Sequence, residues 1–200
     1  MYQFFQRLKL YLYYASTLLG NKLKYKKFGN RSIIHPLLRL EHPENITIGK
    51  SVVVGKHSWL AASPNVISNP ELIIEDRCAI GSMNQIYSNS KIILRKNVLT
   101  ADRVYISDGS HDYENPNLPI MYQKVLSLGE MEIGEGTWIG TNACILGVSV
   151  GKNCVIGSNS VVTKEIPDYC VAVGSPARII KKYCFDSKAW KKTNAVGEFI

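Results

Sequence analysis

Four side chains of this sequence are suited to moving a proton near neutral pH: His35, His42, His57 and His111. His35 and His42 each precede a proline, in pairs that read as bends. His57 falls in a short turn between apolar residues. His111 stands apart, in the stretch VYISDGSHDY, residues 104–113, with acids on both sides. A neutral imidazole there is able to take a proton from a weakly acidic hydroxyl as its oxygen attacks a carbonyl. Asp108, Asp112 and Glu130 are near enough in sequence to orient the second ring nitrogen, and spacing does not choose among them. The five cysteines, Cys78, Cys144, Cys154, Cys170 and Cys184, form no CxxC pair and are odd in number. Free thiols in a reducing compartment are expected, with Cys78, Cys144 and Cys154 as small buried side chains next to core positions.

What must hold His111 in place is legible in a spacing of six. Phe28, Ile34 and Leu40 open it, followed by Ile48-Gly49, Val54-Gly55 and Leu60-Ala61. Ile74, Ile80-Gly81, Ile86 and Ile92 make another run, and Leu94, Thr100 and Ile106 continue it in a shifted phase. Then come Ile133-Gly134, Ile139-Gly140 and Ile145, and finally Val150-Gly151, Ile156-Gly157 and Val162. A helix scatters positions six apart around its axis. A strand puts them on one face, but together with i+2 and i+4, which here are often polar. A solenoid accounts for the pattern: each unit is a short strand and a turn, and three units close a triangular coil. One apolar residue per unit then points inward, and coils stack at about the 4.8 Å spacing of paired strands. The rhythm fails between Ser107 and Gly129, in a polar stretch bearing prolines and glycines. An extruded loop over 107–130 is expected there.

Charge separates the chain into parts. Residues 1–40 hold eight Lys or Arg and no acid, and the other 160 residues hold 16 basic and 16 acidic residues. The net charge of +8 therefore belongs to one end, which argues against a nucleic-acid-binding body. Residues 1–27 read as a basic, aromatic helix, and its apolar run, Leu10–Leu19, is too short to span a bilayer. Packing on the domain is one reading of it, and a peripheral contact with an anionic membrane surface is the other. No export signal is evident, so a cytoplasmic location is expected. Residues 28–180 are assigned to the solenoid. Residues 181–200, with Lys188, Trp190, Lys191 and Lys192, are assigned to a short tail, either a basic helix or a frayed end.

Two stretches carry a family likeness. MEIGEGTWIGTNACILGVSVGKNCVIGSNSVVTKEIPDYCVAVGSPARIIKKY, residues 131–183, and ISDGSHDY, residues 106–113, resemble the hexapeptide-repeat acyltransferase superfamily. Within it the sequence is most similar to the sugar O-acetyltransferases, including those of capsule, lipopolysaccharide and exopolysaccharide synthesis. The resemblance spans roughly residues 30–183. It implies an all-β solenoid wound as a left-handed parallel β-helix, a handedness that spacing alone does not fix. It also implies a homotrimer with acetyl-CoA stretched along the groove between adjacent subunits. On this reading His111 is the general base and no metal takes part. Asn84 and Trp138 contact the acceptor sugar. Thr141, Ser158, Thr163, Lys164, Arg178 and Lys181 hold the coenzyme, the first two at the pantetheine amides and the cations at the phosphates. A backbone N–H, with Gly140 or a neighbour the nearest choice, faces the oxyanion.

Two departures from the family pattern stand out. Relatives in the polysaccharide branch often carry a second histidine two residues before the base, where this chain has Gly109. They also commonly carry one more residue between Ile145 and Val150. The resemblance leaves other readings open: N-acylation of an amino sugar, acetylation of a xenobiotic, a zinc carbonic anhydrase on the same fold, or a non-catalytic scaffold.

Overall fold

The computed structural model describes residues 20–194 and 197–200. Of the expected N-terminal helix, residues 20–24 are helical, and the stretch up to residue 19 lies outside the described residues. From Lys27 onward the chain winds as a three-sided parallel solenoid. Its first face stacks Lys27–Phe28, Ile46–Ile48, Glu71–Ile74, Lys91–Leu94 and Met131–Ile133, and single bridges continue it through Val150 to Ile166. The second face runs from Ile33–Ile34 through Val53–Val54, Ala79–Ile80, Leu99–Thr100, Trp138–Ile139 and Val155–Ile156 to Cys170–Gly174. The third stacks Arg39–Glu41, Trp59–Ala62, Gln85–Ser88, Tyr105–Ser107, Cys144–Leu146 and Val161–Val162.

The hexad residues line the inside. Ile48, Ile74, Leu94 and Ile133 on one face, and Leu60, Ile86, Ile106 and Ile145 on another, are fully buried. Each such side chain contributes about 1.5–3 kcal/mol of hydrophobic stabilisation. A second interior position, two residues before each of these, fills the corners. Where it is polar, its side chain substitutes for backbone partners: Thr137 Oγ1 donates to Gly151 O at 2.7 Å and accepts from Cys154 N at 3.0 Å.

The glycine after a core residue is explained by closeness, since its φ is ordinary. A Cβ on Gly134 would sit 2.4 Å from the Gly151 carbonyl carbon in the next coil. The left-handed residue of the corner comes two positions later and is often asparagine, as at Asn142, Asn153 and Asn159, a side chain that tolerates that region.

The solenoid does not end in a frayed tail or a basic helix. Cys170–Gly174 turns back into the antiparallel strand Ala177–Cys184, and Ala189–Lys192 pairs with that strand in turn. The expected boundary at residue 180 therefore falls inside a strand. Alternation in ARIIKKYC buries Ala177 and Ile179 and exposes Arg178 and Ile180, and the added strands cover an edge that the last coil would leave unpaired. Among the described residues no helix is long and apolar enough to cross a membrane.

Candidate functional site

His111 lies at the foot of a hairpin that leaves the corner between the third and first faces. Gly109–His111 pairs antiparallel with Val125–Ser127, so the expected loop carries a strand pair at its base. At its far end, Gln123 Nε2 donates to Asn115 O at 3.0 Å and Leu118 O at 2.7 Å.

Asp108 anchors the hairpin. It is fully buried, and its carboxylate accepts from Asn89 N at 2.6 Å, Ser90 N at 2.9 Å and Ser88 Oγ at 3.1 Å. That assigns Asp108 to structure. Asp112 accepts from Glu114 N at 3.1 Å, and Glu130 pairs with Lys91 at 3.5 Å. Among the described residues, none of the three acids hydrogen-bonds the His111 ring. Gly109 is explained by Asn89: a Cβ there would lie 2.0 Å from Asn89 Nδ2. A second histidine at that position would have to displace the amide.

Beside His111 a cavity of about 390 Å³ opens on the third face. Its wall is made by residues flanking the inward ones, stacked coil upon coil. One row is Arg39, Trp59, Gln85 and Tyr105, and the other includes Glu41, Tyr87 and Ser107. Asn65, from a second insertion at the same corner, reaches in to donate to the Tyr87 hydroxyl at 2.9 Å. Apart from His111, these residues went unnoticed in the sequence. The signal was present: in W-L-A, Q-I-Y and Y-I-S the neighbours of each buried residue point outward, and register stacks them.

Asn84 is a correction. It is fully buried inside a corner, where its Nδ2 donates to Ala101 O at 3.0 Å and its Oδ1 accepts from Val104 N at 3.2 Å. It is a rung of the core and does not meet an acceptor; Asn89 is the asparagine whose residue lines the cavity. Gly140 is a second correction, because its N–H is committed to Ile156 O at 2.8 Å.

The other expected site residues lie elsewhere on the chain and do not line the His111 cavity. Trp138 points outward from the second face and is 47% exposed. Thr141 and Ser158 stack one coil apart at the corner between the second and third faces, where Asn159 N donates to Thr141 O at 2.8 Å. At the equivalent position two coils earlier, Ser82 N is capped by Asp102 at 2.7 Å. The N–H groups of Thr141 and Ser158 have no such partner among the described residues. Thr163 and Lys164 are exposed at the last coil's third corner, and Arg178 and Lys181 are exposed on the antiparallel strand.

The thiols offer no alternative nucleophile in the core. Burial pushes the Cys78 and Cys154 thiols up to about 11. Cys144 departs from expectation: it is only half-buried, because it continues the outward row after Tyr105. Among the described residues no cluster of three or more His, Cys, Asp or Glu is arranged to hold a metal ion.

This architecture is the left-handed parallel β-helix. Residues 131–164 match the family model for the hexapeptide repeat of succinyl-transferase. It is 35% identical over 137 residues to "Probable acetyltransferase Rv3034c" of Mycobacterium tuberculosis, covering 68% of this chain and 44% of that protein. It is 32% identical over 129 residues to "Putative lipopolysaccharide biosynthesis O-acetyl transferase WbbJ" of Escherichia coli, covering 60% and 65%. The matched region thus spans less than two thirds of either relative. Among solved structures, AntD, an N-acyltransferase from Bacillus cereus in complex with dTDP-4-amino-4,6-dideoxyglucose and coenzyme A, superposes with a TM-score of 0.68. Identity is 20%, over 80% of this chain and 85% of that one. A hexapeptide-repeat acetyltransferase of Vibrio cholerae complexed with acetyl coenzyme A gives 0.55 at 21% identity, over 81% and 73%. At these identities the likeness concerns the fold.

Proposed function

We propose that this protein transfers an acetyl group from acetyl-CoA to a hydroxyl of a sugar, with His111 as the general base. The observation that carries the reading is the placement of His111. Among the described residues it is the one histidine lining the third-face cavity of aromatic rings, amides and hydroxyls, and it stands on a hairpin anchored by Asp108. The acetyltransferase names of its relatives supply the donor, and that of WbbJ supplies the O-acetyl chemistry and the setting of surface polysaccharide.

The imidazole takes the hydroxyl proton while the oxygen bonds to the thioester carbon. The tetrahedral intermediate collapses with cleavage of the C–S bond. The thiolate leaves and recovers the proton from the imidazolium, giving an acetyl ester and free coenzyme A. The unpaired N–H groups of Thr141 and Ser158 suit the pantetheine carbonyls, and Thr163, Lys164, Arg178 and Lys181 suit the phosphates. Trp138 then flanks the acyl group. Trp138, Thr141 and Ser158 sit on a different side of one chain from His111, so the reading requires neighbouring copies that bring the two together, as in a homotrimer. The exposed apolar column of Val53, Leu99 and Trp138 on the second face supports such packing. The five free thiols fit a reducing cytoplasm.

His111→Ala is expected to lower turnover by about 10²–10⁴-fold while leaving acetyl-CoA binding in place. Wild-type turnover by that variant overturns the assignment. A preference for amino sugars over hydroxyl sugars in the same assay would favour N-acylation, the chemistry named for AntD.

A further inference from the structure

We infer that the cavity beside His111 is an extended subsite for an uncharged oligosaccharide, so that the acceptor is a chain of at least two sugar units. The inference rests on the acetyl-transfer reading above and names its acceptor class.

The cavity climbs away from His111 toward the N-terminal coils. Tyr105 stands in the coil that carries the hairpin, and Gln85, Trp59 and Arg39 follow in register, one coil each. At the spacing of paired strands the three steps cover about 14 Å, more than one sugar ring occupies. The coenzyme residues Thr141 and Ser158 lie in later coils, on the other side of the hairpin. The N-terminal stretch is therefore left for the acceptor.

The chemistry of the wall selects the ligand. The Trp59 and Tyr87 rings meet edge to face with centroids 5.5 Å apart, giving the apolar surface that the C–H face of a sugar ring covers. Gln85, Asn65 and Ser107 supply groups that exchange hydrogen bonds with hydroxyls. Trp59 Nε1 and Asn89 Oδ1 are buried in the wall without a partner, one a donor and one an acceptor.

Charge is cancelled within the wall. Arg39 pairs with Glu41 and lies over the Trp59 ring at 5.0 Å. Among the described residues, those two and His111 are the only Arg, Lys, His, Asp or Glu in the lining. A sugar nucleotide wants fixed cations for its diphosphate, and among the described residues this wall has no cation left over for one.

The test uses the full chain with acetyl-CoA and three acceptor sets, neutral methyl monosaccharides, neutral di- to tetrasaccharides of the same sugars, and dTDP-sugars. The oligosaccharides are expected to show KM at least 10-fold lower than the monosaccharides at similar kcat. Trp59→Ala and, separately, the milder Gln85→Ala should erase much of that difference by raising KM for the longer acceptors more than for the monosaccharides. Equal KM for short and long acceptors, or a lower KM for dTDP-sugars than for neutral oligosaccharides, overturns the inference. Binding of the same oligosaccharides to His111→Ala, followed by saturation-transfer NMR, separates the two claims. Oligosaccharide binding without turnover in wild type would sink the acetyl-transfer reading and spare the subsite. Turnover without length preference would do the reverse.

Discussion

The two halves of the solenoid obey one rule on two faces and differ at a single corner. In every complete coil the first-face, second-face and third-face core residues stand six apart, as in Ile48, Val54 and Leu60 or Ile133, Ile139 and Ile145. The leg from the third face back to the first varies. In the N-terminal half it spans 8 residues from Leu40 to Ile48, 14 from Leu60 to Ile74, 8 from Ile86 to Leu94 and 27 from Ile106 to Ile133. In the C-terminal half it shrinks to 5 residues from Ile145 to Val150 and 4 from Val162 to Ile166. The long legs carry the His111 hairpin and Asn65, and the short legs leave a bare ladder whose other corner bears Thr141 and Ser158. Inward side chains allow no freedom in two legs, because a one-residue slip turns core residues outward. The third corner absorbs length without disturbing the columns, and the proposed acceptor site lies there.

An insertion test gives the sharpest break in that comparison. One glycine placed between Gly140 and Ala143, within a six-residue leg, is expected to abolish cooperative folding, seen as loss of the thermal transition by circular dichroism. Two residues added between Ser63 and Asn69 should cost less than about 1 kcal/mol, since surface loops lengthen cheaply. Equal damage at both places would end the claim that one corner alone is free.

A smaller effect is expected from Asp108→Ala, which leaves two backbone N–H groups in the interior without their acceptor. Destabilisation of about 3 kcal/mol should follow in denaturant melts, with activity falling further than stability because the hairpin carries His111. Asp168→Ala, which removes an exposed cap from Lys152 N in the C-terminal half, should cost only about 1 kcal/mol and spare turnover. Comparable losses from the two would show that the hairpin anchor has no special standing.

The finest probe concerns the uncapped corner. Ser158→Asp puts an acid where Asp102 caps Ser82 two coils earlier. The Thr141 N–H would gain a partner and, on the proposed function, the coenzyme would lose one. Thermal stability should stay level or rise slightly, while the Kd for acetyl-CoA rises about 10-fold by calorimetry, a change of about 1.4 kcal/mol. Unchanged affinity would remove Thr141 and Ser158 from the donor site.

The repeat was legible because one apolar residue every six leaves an unmistakable trace. His111 was legible because it falls where that trace fails. The shifted phase near Leu94 and the short step from Ile145 to Val150 were visible as irregularities. Their cause, a third leg with its own length in each coil, was not. At the short leg the structure adds a reason: Gly147 adopts φ 62, and a Cβ there would press to 2.5 Å from Leu128 on the returning hairpin.

The amino-acid sequence by itself determined the solenoid, its buried columns and the residue most able to take a proton, since these follow from side-chain type and period. Which outward residues share a wall was decided only by tertiary structure. Trp59, Gln85 and Tyr105 are separated by 26 and 20 residues of chain yet stack in adjacent coils, because interstrand register joins them. Asn84 and Asn89 differ by five positions, and no composition separates them. One sits inside the corner before Gln85–Ser88 and the other in the bend after it beside the cavity, because coil closure decides what each corner residue meets.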